Sequence, residues 1–218
     1  MKTGIRALFA SLLVAASLAA NAVTMGLSPA QGDYGWSGES VGNRFTVTQD
    51  IWVTALGVWD EGQDGLANPY RVVVFDSVGA TLASADVAAG TAATLQDGTR
   101  WAGLAIPLRL TAGSEYTVVT YRPNFTDLFQ WVDAANVTVA PEINLLDDMY
   151  DGGNAGDGIT PIFPTSAEAR DGIFGPNMQY ALTNPTLVPT LDQWGLIILS
   201  LVVAGAAAWL SRRRDGRA

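Results

Sequence analysis

The chain has 218 residues and a formal charge of −9, from 12 basic and 21 acidic side chains, and it contains neither histidine nor cysteine. That composition excludes disulfides, thiolate nucleophiles, imidazole-based triads and zinc sites of the usual histidine–cysteine kind, while the length suffices for one substantial core with appendages. Charge is also segregated, with nineteen of the acids but only six of the bases between residues 23 and 189; so acidic a body repels phosphate backbones, which argues against nucleic acid as a partner.

The first elements along the chain are those of an export signal. Lys2 and Arg6 precede an apolar stretch over 7–20, followed by Ala20-Asn21-Ala22. Small residues three before and one before a scissile bond fit a signal peptidase pocket, so residues 1–22 are expected to be a signal peptide cleaved after Ala22. The apolar stretch is too short to favour a permanent span. The mature chain then begins near Val23 and is exported.

Residues 23–182 show no sustained helical period. Short alternating apolar runs separated by glycine-rich turns predict an all-β fold, a single β-sandwich domain. The strands expected are 44–48, 51–59, 70–76, 81–87, 100–106, 115–122 and 174–182. In the run YRVVVFD (70–76), Tyr70, Val72 and Val74 share one face and Arg71, Val73 and Phe75 the other, so both faces are partly apolar, as in a strand well inside a sheet. The run LRLTAGSEYTV (108–118) has alternating leucines, a glycine turn and then Tyr116; this predicts a tyrosine corner, in which the hydroxyl bonds back to the preceding connection.

Three constellations in the body are candidates for chemistry. WDEGQDG (59–65) has the look of a calcium loop, but with Asp60 first, the third position is Gly62 and the twelfth is Arg71, where a bidentate glutamate is needed; a polar turn is the better account. Six aromatic residues, Trp36, Trp52, Trp59, Trp101, Tyr121 and Trp131, either fill the core or present flat rings to a sugar, and general burial tendency favours the core. Asp147, Asp148, Asp151 and Asp157 lie with Asn154 in what reads as a flexible glycine-rich loop over 145–158. Hard oxygen ligands suit calcium, so these four are the candidate metal ligands, although without fixed spacing a solvated acidic loop is favoured. No catalytic motif is found. The body is expected to be a non-catalytic surface or matrix component, with a carbohydrate-binding module contacting extracellular polysaccharide as the first alternative and a secreted glycoside hydrolase as the distant second.

A short linker over 183–187 leads to the tail VPTLDQWGLIILSLVVAGAAAWLSRRRDGRA. Residues 194–210 are seventeen uncharged residues, about 25 Å as a helix, at the lower limit for crossing a hydrocarbon layer of about 30 Å. This predicts one C-terminal transmembrane helix. Arg212, Arg213 and Arg214 follow as a membrane stop within a basic end over 211–218, which the positive-inside tendency keeps cytoplasmic, leaving the body on the far side. Pro189 keeps the peptide ahead of the span extended, and Trp194 belongs at headgroup level.

Val188, Pro189, Thr190, Leu191, Trp194 and Gly195, followed by the span and the arginines, resemble the IPTLxxWG-type sorting signals of bacterial exosortase substrates, with Val188 in place of the usual isoleucine. The resemblance covers about the last thirty residues. It implies an exosortase-like membrane protease-transpeptidase as partner, a transient single pass in the inner membrane, and release or transfer of the body toward the cell surface. The body, through WSGESVGNRFTVTQDIWVTALGVWDEGQDGLA, VVVFDSVGATLASADV, LTAGSEYTVV and FGPNMQYAL, resembles a domain-of-unknown-function family of β-sandwich modules in bacterial exported proteins. That likeness implies a jelly-roll-like fold and an extracellular setting, and it transfers no catalytic residue and no cofactor.

Overall fold

The computed structural model describes residues 23–24, 37–133, 139–169, 171–185, 195 and 198–202; for 23–24, 130–133, 169 and 171–174 it describes backbone alone. The expected signal peptide with its cleavage point at Ala22, the motif residues Val188, Pro189, Thr190, Leu191 and Trp194, and the arginines 212–214 lie outside the described residues.

The described residues form thirteen strands: β1 (Val23–Thr24), β2 (Glu39–Val47), β3 (Ile51–Trp59), β4 (Tyr70–Asp76), β5 (Thr81–Val87), β6 (Thr94–Gln96), β7 (Thr99–Leu110), β8 (Glu115–Arg122), β9 (Gln130–Asp133), β10 (Ile143–Gly152), β11 (Ser166–Ala169), β12 (Asp171–Phe174) and β13 (Pro176–Ala181). They assemble into a five-stranded sheet, β1-β13-β3-β7-β6, a six-stranded sheet, β11-β10-β2-β8-β4-β5, and a two-stranded ribbon, β12-β9. Every strand pairing among the described residues is antiparallel. The chain passes repeatedly between the two large sheets, so the body is an all-β sandwich.

Period-two alternation builds the core between the sheets. Val41, Phe45 and Val47 of β2, Tyr70, Val72 and Val74 of β4, Tyr116 and Val118 of β8, and Met178 and Tyr180 of β13 enter one buried cluster. The second face of β4 is buried too. Val73 and Phe75 pack with Val119 under Phe163, whose ring meets Phe75 edge-on at 5.5 Å between centroids. The both-faces-apolar pattern of this strand therefore reflects a sheet whose outer side is roofed by the segment that follows β10. At the centre of that sheet a Cβ on Gly42 would overlap the Val118 carbonyl, so only glycine lets β2 and β8 pair there.

Four strands match their expected bounds: β3, β4, β5 and β8. Three others are corrected. The first expected strand begins earlier, at Glu39; the fifth continues to Leu110; and the last divides into β12 and β13. The largest correction is β10, which occupies most of the stretch read as a flexible acidic loop. Its sequence INLLDDMYDG lacks strict alternation because a bulge between Leu145 and Asp147 shifts its register against β2, and the side-chain period is broken there.

The two ends of the sandwich are distinct. One end, the base, carries the turns at 48–50, 77–80 and 111–114 and the entry into β10; there Gly113 N–H bonds to Val47 O, and Thr48 N–H to Glu142 O. The other end, the pole, carries the loops 60–69, 88–93, 123–129 and 153–161; there Asp60 N–H bonds to Gly98 O, and Gly153 N–H to Gly38 O.

Candidate functional site

The tyrosine corner forms at the base as expected. The backbone N–H of Thr111 donates to the Tyr116 hydroxyl at 2.9 Å, tying the β7–β8 connection to the first turn of β8. Asp50 reinforces the same corner, accepting from Ala112 N–H and pairing with Arg109. The Arg109 guanidinium and the Ala112 N–H hold the Asp50 carboxyl below its ordinary range. This is structural chemistry that joins the two sheets.

At the pole, the 59–65 segment is a 3₁₀ turn at Glu61–Gln63, and Asp60 does not face solvent. Its carboxylate accepts from Gly65 N–H at 3.1 Å and from Arg100 Nε at 2.7 Å, and the Asp60 and Arg100 side chains are both nearly sealed from water. The same guanidinium donates to the carbonyls of Thr91, Ala93 and Gln63. A buried ion pair is stable only when its remaining donors and acceptors are met, and here one arginine laces three segments. The expected polar turn is thus a loop closed over an internal charge pair.

A second polar cluster lies beside it. The buried Asp127 carboxylate accepts from Ala67 N–H, Asn68 N–H, the Asn68 side-chain amide and the Tyr70 hydroxyl, the last at 2.7 Å. Burial and this carboxylate push the Tyr70 hydroxyl well above its ordinary range, so it stays a neutral donor. Arg122, fully buried, sits 5.4 Å from the Phe125 ring centroid and 5.6 Å from that of Phe129. Sequence reasoning passed over Asp127, Arg122 and Arg100 as functional elements. The available signal was an isolated charge within or bounding an apolar strand, which must be paired if the strand is buried.

The four candidate metal ligands are separated by the fold. Asp147 points to the outer side of β10 and pairs with Arg44, which also lies 3.6 Å from Glu115. Asp148 is buried beside its register partner Asn43, on the side of the strand opposite Asp147. Asp151 accepts from the N–H and hydroxyl of Thr165. Asp157 accepts from Ile159 N–H and from the N–H and hydroxyl of Thr160, and these bonds bring its pKa down to about 2. Asn154, the amide in the same set, accepts from Gly156 and Gly158 N–H. Among the described residues no group of three or more acidic side chains is placed to hold a metal ion. The topology keeps the four from converging: neighbouring carboxylates on a strand point to opposite faces, and the hairpin that follows uses its own oxygens to cap its own turns.

Of the six aromatic residues, none of the four whose side chains are described joins the core cluster between the sheets. Trp101 is buried and its indole N–H donates to Gln96 O, while Trp52, Trp59 and Tyr121 are half-buried. Trp36 and the Trp131 side chain lie outside the described residues. Among the described residues, the one aromatic ring in the set of large exposed apolar side chains is Phe125, at the pole.

Past β13 the chain is described to Pro185 and then at Gly195 and 198–202, which are helical. Ile198, Leu199, Leu201 and Val202 are each more than half exposed, an apolar helical surface that the sandwich does not cover. No helix among the described residues is long and apolar enough to cross a membrane.

Comparison with known families resolves both parts. The model of the domain of unknown function DUF4082 matches residues 27–168, well over half of the chain. The chain belongs to the DUF4082 family. The match ends inside β11, so β13 of the five-stranded sheet and β12 of the two-stranded ribbon in this DUF4082 body come from beyond the matched region. A second model, the IPTL-CTERM motif, matches residues 188–214. This DUF4082 protein therefore carries a C-terminal sorting signal of the kind that implies export, cell-surface sorting and processing by an exosortase-like enzyme. No curated protein is detectably similar to the chain.

Proposed function

We propose that the protein is an exported precursor whose jelly-roll-like body is a non-catalytic component of the cell surface or extracellular matrix, and that its biochemical role in sorting is that of substrate. The signal peptide 1–22 directs export and is removed after Ala22. The tail then holds the body at the inner membrane through one transient span over 194–210, with Arg212, Arg213 and Arg214 on the cytoplasmic side. An exosortase-like enzyme takes the motif at 188–195, cuts in or near it, and releases or transfers the body outward.

The IPTL-CTERM match at 188–214 carries this reading. It is supported by the helical, exposed apolar residues 198–202, since a stripe of bare aliphatic side chains is at home in lipid and not in water. For the body, the internal engagement of Asp60, Arg100, Asp127 and Tyr70 supports a structural rather than catalytic role, because each polar group is used to hold a loop. Intact-mass measurement of the surface form, from cells with and without the sorting enzyme, tests the proposal. The expected result is loss of residues beyond the motif only where the enzyme is present; their retention in both strains removes it.

A further inference from the structure

Both segments that lead to the membrane leave the sandwich at the same end. β13 runs toward the base, where Ala181 pairs with Trp52, near the start of β3, and Ile51 pairs with Leu110, the end of β7. β1 lies antiparallel to β13 with Val23 opposite Tyr180 and Thr24 opposite Gln179, so the chain enters the sheet from the base as well. The residue that follows the expected signal cleavage thus sits one strand away from the residue that begins the path to the sorting motif.

Chain lengths make this placement restrictive. From Ala181 to Val188 there are seven residues, which reach no more than about 25 Å however they are folded. The sandwich itself is long on that scale, since a nine-residue strand such as β3 spans about 30 Å. That single short tether holds the base close and leaves the pole far.

We propose that the base, formed by the turns at 48–50, 77–80 and 111–114, is the surface apposed to the membrane and the sorting enzyme, and that the pole is the outward-facing end. The proposal rests on the reading of the tail given above and adds a direction to it. The loops that any extracellular partner meets first are then 60–69 and 123–129, including exposed Phe125, and the tyrosine corner is on the membrane side.

The absence of native cysteine allows single-label reporters. Val78→Cys lies in the β4–β5 turn at the base, where the native side chain is 83 % exposed, and Glu61→Cys lies on an exposed turn at the pole. Each variant of the full chain is labelled with a maleimide fluorophore and reconstituted into vesicles of zwitterionic and anionic lipid carrying a headgroup-linked quencher. Flotation first reports whether the chain joins the vesicles. Expected is flotation of both variants, with quenching at position 78 several-fold greater than at position 61. Flotation with equal or reversed quenching overturns the orientation and leaves the tail reading standing; failure to float overturns both.

Discussion

The Asp60 loop and the 147–157 segment each combine several carboxylates with glycines, yet they use them in opposite ways. Asp60 is buried against Arg100 and organises three pieces of chain around one charge pair. Asp147, Asp148, Asp151 and Asp157 are dispersed along a strand and a hairpin, each with its own neighbour or partners. The difference lies in what the topology brings opposite. β7 delivers a guanidinium into the first site, whereas pleating turns successive acids of β10 away from each other. Acidic density alone therefore says little about metal binding; convergence does.

The comparison can be broken most severely at the first site. Arg100→Met leaves a buried carboxylate without its cation and is expected to cost about 3–5 kcal/mol in urea unfolding. The double variant Asp60→Leu, Arg100→Met should recover much of that loss, because it removes the uncompensated charge; no recovery would mean that the carbonyl contacts of Arg100 dominate. Asp127→Ala, which strips the acceptor from two backbone N–H groups and the Tyr70 hydroxyl, is expected to cost about 2–3 kcal/mol by the same measurement. Tyr116→Phe deletes one corner hydrogen bond and should cost about 1 kcal/mol, seen as a lower melting midpoint with the fold retained.

Effects at the dispersed acids should be smaller. Asp147→Asn weakens a partly exposed pair with Arg44 and should change stability by no more than about 1 kcal/mol. Millimolar calcium should leave the melting midpoint of the wild-type body unchanged, since a ligand that prefers the folded state must raise it; a rise would restore the metal reading. The smallest effect is the acid limb. Asp157 has a folded pKa of about 2, below its ordinary value of 3.8, and Asp151 is lowered in the same direction by its bonds to Thr165. Groups depressed on folding add stability above their unfolded pKa and lose it as pH falls toward the folded one. Melting midpoints should therefore decline as pH drops from about 4 to about 2, and the decline should be shallower in Asp151→Asn, Asp157→Asn.

Much of the fold was legible because burial on one face leaves a two-residue period. Ile51–Trp59, Tyr70–Asp76, Thr81–Val87 and Glu115–Arg122 were readable to the residue, as was the corner at Tyr116. β10 was not, because its bulge interrupts the period and its aspartates imitate a loop. The short β6, β9 and β11 carry too few residues for any period to register. Arg100 and Asp60 are forty positions apart, so nothing local announces that they meet.

What the sequence by itself determined is the class of the body and the sorting signal of its tail: alternation demands sheets, and the order of motif, apolar run and arginines makes the signal, since both depend on composition at fixed local spacing. Tertiary structure alone decided which charges are internal, that the four aspartates do not converge, and that both chain ends leave from the base. Those outcomes depend on strand order and register, which bring distant residues together and which no local pattern encodes.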